Sequence, residues 1–271
     1  MHMFLPLIIL GVLGGVFGLL LAFASKKFGV KEDERVEKIT ELLPGANCGA
    51  CGFPGCSGYA RAVVSGEAPI GLCTGCNQEK LNQIAAIMGT EAEAAEKKVA
   101  FVGCLGTPDR AEKRFKYYGV NSCLEASVIP GGGDKECRFG CLGMGSCVDV
   151  CKFDGIHIVN GVAVVDNEHC VGCGACVKTC PRHVISLIPA SAKVTVNCIN
   201  TGRGLEVKNI CKVGCLGCTM CARNCPAKAI TMEGNLPKVD HSLCTGCGTC
   251  TQKCPVHAIV VRNGVAVLND D

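Results

Sequence analysis

Laying residues 137–180 over residues 211–254 with a shift of 74 puts eight cysteines on eight cysteines. Cys137, Cys141, Cys147, Cys151, Cys170, Cys173, Cys176 and Cys180 fall on Cys211, Cys215, Cys221, Cys225, Cys244, Cys247, Cys250 and Cys254. Such a repeat leaves few folds open, because thiols two or three residues apart must either pair as disulfides or grip metal. The chain carries 25 cysteines in 271 residues, most of them in tight C-x-x-C runs that suit a disulfide scheme poorly. Disulfide frameworks also belong to small secreted domains, whereas this chain has the length of two or three domains. Metal is the expectation.

The second copy reads Cys215-x2-Cys218-x2-Cys221-x3-Cys225-Pro226, then Cys244-x2-Cys247-x2-Cys250-x3-Cys254-Pro255. This resembles the bacterial ferredoxin run for two [4Fe–4S] clusters. The resemblance implies crossed ligation, in which the fourth cysteine of each run serves the other cluster. Cys215, Cys218 and Cys221 then share a cluster with Cys254, and Cys244, Cys247 and Cys250 share one with Cys225. In the first copy Met144 stands where the second has Cys218, which leaves one cluster a thiolate short. Cys137 is expected to step in, giving Cys137, Cys141, Cys147 and Cys180 for one cluster and Cys151, Cys170, Cys173 and Cys176 for the other. Lys152 replaces the usual proline after Cys151.

Upstream, "NCGACGFPGC" supplies Cys48, Cys51 and Cys56, and Cys73 follows after a helical stretch over residues 57–65. These four thiols fit one further iron–sulfur cluster, with glycines that let backbone N–H groups turn inward. The paired knuckles Cys48-x2-Cys51 and Cys73-x2-Cys76 would also suit a zinc ribbon, at the cost of leaving Cys56 idle. The expected cofactors are five [4Fe–4S] clusters on twenty cysteines. Cys76, Cys104, Cys123, Cys198 and Cys211 remain. Buried structural thiols are their default role, a further cluster among them the sharper alternative, and the strand-like leads "KVAFVGC" and "KVTVNC" make Cys104 and Cys198 equivalent positions.

The N-terminus has no charge from Phe4 to Ala24. A helix of that length reaches roughly 31 Å at about 1.5 Å per residue, enough for one bilayer crossing. Lys26, Lys27 and Lys31 follow the run, which predicts a cytoplasmic location for everything after it; a cleaved signal peptide is the rival interpretation. Gly11, Gly14, Gly15 and Gly18 form a small-residue stripe suited to another transmembrane helix, though glycine is common in such helices anyway. Val36, Ile39 and Leu43 then mark an amphipathic helix over residues 31–43, ended by Pro44. Asn160-Gly161 and Asn263-Gly264 each predict a type I′ hairpin between alternating apolar strands. Aromatic residues are only 4% of the chain and tryptophan is absent, so the apolar core is thin and the clusters must supply much of the folding free energy.

The order of anchor, "CGACGFPGC" with a distant Cys73, and two ferredoxin-like copies resembles the B subunit of the Rnf complex, the membrane-bound ion-translocating ferredoxin:NAD oxidoreductase. The resemblance implies an electron-transfer subunit of a translocase. It would take electrons from soluble reduced ferredoxin and relay them to partner subunits that hold flavins, the NAD site and most membrane helices. It also implies an α+β chain in the bacterial cytoplasmic membrane: a transmembrane anchor (1–26), a small helical 4Fe–4S domain (27–92) and two tandem bacterial-ferredoxin-like domains (93–188 and 189–271). A membrane-tethered polyferredoxin serving a hydrogenase or dehydrogenase is the alternative. The residues agree on what is absent: no dinucleotide fingerprint, no P-loop, no catalytic triad and no basic stripe with aromatics for nucleic acid. His183 and His257 follow matching Cys-Pro pairs and are expected to share a structural role. The formal charge of +3 counts thiols as neutral. Five clusters at about −2 each make the loaded chain acidic. Docking an acidic ferredoxin would need a basic patch, and "RAEKRFKYYG" from Arg110 to Gly119 is the densest candidate, against a plain solvated helix face.

Overall fold

The uncharged N-terminal run forms α1 (Leu5–Phe28), and the cysteine-bearing remainder folds as short helices and two-stranded sheets. The computed structural model describes residues 5–28, 33–91 and 96–262, with the side chains of α1 described over residues 10–24. Those of residues 10–23 are exposed. Among the described residues no helix is long and apolar enough to cross a membrane, so the span expected over Phe4–Ala24 is not shown.

Three helices follow: α2 (Glu34–Leu42), α3 (Gly55–Ser65) and α4 (Gln78–Met88). Asp33 caps α2 by accepting from the Arg35 N–H at 2.9 Å, and Asn77 caps α4 through the Lys80 N–H at 3.0 Å. Gly66 and Gly89, both left-handed, end α3 and α4. Val36, Ile39, Tyr59, Val63 and Ile84 form the core of this bundle. Tyr59 is buried to 1% exposure, and its hydroxyl lies 2.6 Å from the Ile70 carbonyl and 2.8 Å from that of Pro69. The chain entering Cys73 is thereby tied to the bundle.

The first repeat copy holds β1 (Lys98–Val102), α5 (Cys123–Val128), α6 (Ser146–Asp149), β2 (Ile156–Val159), β3 (Val162–Val165), α7 (Ala175–Thr179) and β4 (Ile185–Pro189). The second holds β5 (Val194–Val196), α8 (Leu205–Ile210), α9 (Met220–Arg223), β6 (Ile230–Glu233), β7 (Leu236–Val239), α10 (Thr249–Gln252) and β8 (Ile259–Val261). Each copy closes by pairing its first strand with its last: β1 with β4, and β5 with β8, both antiparallel. Each also contains a hairpin, β2–β3 and β6–β7. Asn160 (φ 46°) and Gly161 (φ 69°) turn the first as the sequence predicts. Asn263-Gly264 lies outside the described residues.

Valines and isoleucines such as Val99, Ile156, Val162 and Ile185 form one core with Cys141, Cys147, Cys170 and Cys176. Val194, Ile230 and Ile259 form a smaller one with Cys221 and Cys250. The thiols are thus packed into the apolar centres. One expectation is overturned: residues 110–119 form no helix and so no helix face, but run through a turn, isolated β-bridges at Ala111 and Lys113, and bends. Their charges are partly matched, Lys113 to Asp134 at 2.7 Å and Arg114 to Glu136 at 2.7 Å.

Candidate metal centres

Each ferredoxin-like run turns on a left-handed glycine two residues after its first cysteine. Gly143 (φ 71°) and Gly172 (φ 68°) show why. A Cβ at Gly143 would collide with the Gly161 carbonyl, and one at Gly172 with the Lys98 carbonyl. Only glycine lets the loop approach the strands this closely. Amide donors then point at sulfur: Ala100 N–H donates to Cys170 Sγ (3.3 Å), Gly155 N–H to Cys151 Sγ (3.4 Å) and Ala163 N–H to Cys141 Sγ (3.4 Å). Such bonds favour the thiolate, the form that ligates iron. After the last cysteine of each run comes another left-handed residue: Asp154, His183, Lys228 and His257, with φ between 50° and 52°. His183 and His257 donate their backbone N–H to the carbonyls of Cys180 and Cys254, so both are turn residues.

All 25 cysteines are free. Among the described residues no three or more His, Cys, Asp or Glu side chains converge closely enough for a single metal ion. A four-iron cluster asks for something different, since its thiolates bind separate irons at the corners of a cage. Thiol-lined cavities are the matching feature.

Site 1 is a cavity of about 420 Å³, partly open to solvent, lined by Cys48, Cys51, Cys56 and Cys73. Asn47, left-handed at φ 47°, accepts from the Cys56 N–H through Oδ1 at 2.8 Å and fixes the start of α3 against the Cys48 loop. The Cys76 thiol hydrogen-bonds the Cys73 sulfur and holds Cys73 below the ordinary thiol range, while Cys76 keeps its proton. Site 2 is a cavity lined by Cys151, Cys170, Cys173 and Cys176, and it shares Phe153, Val171 and Cys173 with the wall of site 1. Lys152 donates from Nζ to the Ala46 carbonyl (3.1 Å), docking site 2 against the site 1 loop; the departure from proline thus has a contact to make.

Site 3 gathers Cys141 and Cys147, both buried, with Cys180 packed on the same core. Burial, then the Cys141 and Cys123 sulfurs, push the Cys147 thiol up to about 12. Cys123 packs with Leu142 and Met144, the residue occupying the missing cysteine position. Cys137, expected to complete this set, is placed elsewhere: it lines a separate cavity together with Cys104, Cys198 and Cys211. The loop Cys137–Cys141 turns the first sulfur toward the second copy, which the run spacing alone does not reveal.

Sites 4 and 5 lie in the second copy. Burial raises Cys215, with the Cys254 and Cys218 sulfurs adding to it, and burial likewise pushes Cys221 up to about 11 beside Cys215 and Cys218. Cys250 is raised by burial, with Cys225, Cys244 and Cys247 adding to it. Its neighbours are therefore those that crossed ligation requires. Buried thiols held protonated in this way must release protons to bind iron, whose positive charge replaces them.

Similarity to known proteins converges on the same chemistry. The FeS family of Fe-S cluster segments matches residues 43–74, and the 4Fe-4S binding domain family matches residues 163–186 and 237–260. The chain is 46% identical over 237 residues to the B subunit of the Na(+)-translocating ferredoxin:NAD(+) oxidoreductase complex of Acetobacterium woodii, covering 87% of this chain and 71% of that one. It is 43% identical over 239 residues to the proton-translocating counterpart of Clostridium ljungdahlii, covering 88% and 84%. It is 38% identical over 207 residues to the B subunit of the ion-translocating oxidoreductase complex of Methanosarcina acetivorans, covering 76% and 78%.

Proposed function

The chain belongs to the B-subunit family of the ion-translocating ferredoxin:NAD oxidoreductase (Rnf) complexes, and from that premise we propose how its electron path is built. As a member it is an iron–sulfur electron-transfer subunit of an oxidoreductase that moves ions, with an α+β fold of 4Fe–4S domains. We assign [4Fe–4S] clusters to site 1 (Cys48, Cys51, Cys56, Cys73), site 2 (Cys151, Cys170, Cys173, Cys176), site 4 (Cys215, Cys218, Cys221, Cys254) and site 5 (Cys225, Cys244, Cys247, Cys250). Cys141, Cys147 and Cys180 supply three ligands of a cluster at site 3. The domains that carry them are 27–92, 93–188 and 189–271.

The single observation that carries the path is the wall shared by sites 1 and 2. Clusters behind the same three residues stand close enough for an electron to pass without any part of the chain moving. Each bound cluster supplies one-electron chemistry; the chain fixes spacing, excludes water and hydrogen-bonds sulfur, which sets the potential. Soluble reduced ferredoxin is the donor and the flavin-bearing subunits are the acceptors. Residues 1–26 anchor the protein in the cytoplasmic membrane, which is supported by the uncharged run from Phe4 to Ala24 and the lysines that follow.

The test is anaerobic mixing of the purified, brown chain with reduced ferredoxin, followed by low-temperature paramagnetic resonance. Rapid appearance of reduced-cluster signals is expected; a chain that holds iron and takes no electrons sinks the donor assignment. Removing residues 1–28 should leave the iron content intact and move the protein from the membrane fraction to the soluble one.

A further inference from the structure

The cavity holding Cys137 contains four thiols, two from each repeat copy. Cys104 and Cys198 follow the first strands of their copies and face each other across an isolated antiparallel bridge. Cys137 and Cys211 are equivalent under the repeat shift of 74. All four line a single cavity of about 400 Å³, partly open to solvent. The surroundings obey the same two-fold relation. The Cys141 N–H donates to Cys104 Sγ (3.4 Å), and the equivalent Cys215 N–H donates to Cys198 Sγ (3.3 Å). Gly106 N–H adds a second bond to Cys104 (3.4 Å), and Asn200 Nδ2 approaches Cys137 Sγ (3.6 Å). Burial raises Cys137 and Cys198, and the N–H groups aimed at their sulfurs oppose it by favouring the deprotonated form that ligates iron.

Charge points the same way. Lys135 lines this cavity at 2% exposure, and its Nζ donates to the Gly106 carbonyl (2.6 Å) and the Gly161 carbonyl (3.3 Å). Among the described residues it makes no salt bridge. A buried cation with only neutral thiols beside it is costly. An iron–sulfur cluster on four thiolates carries about −2 and offsets it.

We propose that Cys104, Cys137, Cys198 and Cys211 hold a sixth [4Fe–4S] cluster at the junction of the two ferredoxin-like copies, and that Cys123 takes the vacated fourth place beside Cys141, Cys147 and Cys180. Geometry provides for the substitution. The connection from Cys104 to Cys137 is far longer than that from Cys198 to Cys211, and the extra chain folds α5, which begins at Cys123. The Cys123 N–H donates to Ser146 Oγ (2.8 Å), one residue before Cys147, and Cys123 packs on Met144. The thiol lost at Met144 is thereby returned from the insertion.

The sixth cluster joins the three sites before the junction to the two sites after it. Its ligand Cys104 is bonded by the backbone of a site 3 cysteine and its ligand Cys198 by that of a site 4 cysteine. An electron arriving from site 3 reduces this cluster by one, and its departure to site 4 reoxidises it, with no bond made or broken and no proton required. Cys76 is then the lone cysteine outside the six sets.

The inference rests on the iron–sulfur assignment above, and native mass spectrometry of the purified full chain separates the two. Six clusters, about 24 irons, are expected; five clusters, about 20 irons, would overturn the sixth site while leaving the electron-transfer assignment standing, and no iron would overturn both. Cys211→Ala and Cys198→Ala should each remove one intact cluster, whereas Cys76→Ala should remove none. Unchanged cluster mass in the first two variants refutes the site. Should either variant fail to fold, the count on the unaltered protein still decides. Cys123→Ala should cost a cluster at site 3; retention of all six in that variant refutes the replacement of Met144.

Discussion

Gly172 and Gly174 offer a controlled test of how the cysteine loops are held. Both belong to the run that serves site 2 and both are left-handed, at φ 68° and 77°. Alanine at either forces an L side chain into that region, costing about 1–2 kcal/mol. They differ in space. A Cβ at Gly174 meets nothing nearer than Leu187 Cδ1 at 3.8 Å, an ordinary contact, whereas at Gly172 it strikes the backbone carbonyl of Lys98. Relief of that clash requires β1 to shift, and β1 carries the Ala100 N–H that bonds Cys170 Sγ. Overpacking against backbone adds about 1–3 kcal/mol. With about 1.4 kcal/mol per factor of ten, Gly174→Ala should speed bleaching of the loaded protein in anaerobic urea by about 5–30-fold, and Gly172→Ala by about a further 5–150-fold. Iron absorption followed with time gives both rates. Equal rates would show that the loop is not held by its approach to β1, and the account of the left-handed glycines would fail.

Cys48→Ala should remove the cluster at site 1 and spare the rest, because Cys48 lies outside the repeat; unchanged iron would contradict the site 1 set. Tyr59→Phe deletes the hydroxyl held by the Ile70 and Pro69 carbonyls and should cost about 1–2 kcal/mol, seen as a lower urea midpoint with site 1 lost first. Lys152→Ala removes the bond to the Ala46 carbonyl; slower electron transfer between sites 1 and 2 at unchanged iron content is expected, and an unaltered rate denies the docking role. Stripping all iron with a chelator should abolish most of the circular dichroism, since so many core positions are cysteine; a metal-free chain with native spectra would show that the valine and isoleucine cores suffice.

Much of this is legible in the sequence, for a definite reason. Cluster-binding runs are local, so the spacing of Cys170, Cys173 and Cys176 and the Asn160-Gly161 turn report their geometry directly. Distant pairings are not local. That β1 pairs with β4 and β5 with β8 depends on contacts across each whole copy, and the meeting of Cys104 with Cys198 depends on how the copies face each other. Cys137 suggests itself for site 3 because the repeat offers it as the nearest spare thiol; a sulfur delivered by an insertion without counterpart has no spacing signature. The stretch 110–119 misleads similarly, since its charges suggest a helix face and its partners Asp134 and Glu136 come from further along the chain. The β6–β7 turn is made by Gly234-Asn235 with only Gly234 left-handed, a Gly-first pair that is a weaker local signal than Asn-Gly and easily passed over.

The antiparallel bridge between Cys104 and Cys198 has a consequence for how such a molecule assembles. Had the two halves been made as independent polypeptides, each would present only a pair of sulfurs at that surface, and a complete tetrad would form only when two molecules collided in the right orientation. Joining them head to tail replaces that encounter by an internal one, at a local concentration in the millimolar range for a short tether. Dilution in the cell then cannot pull the tetrad apart.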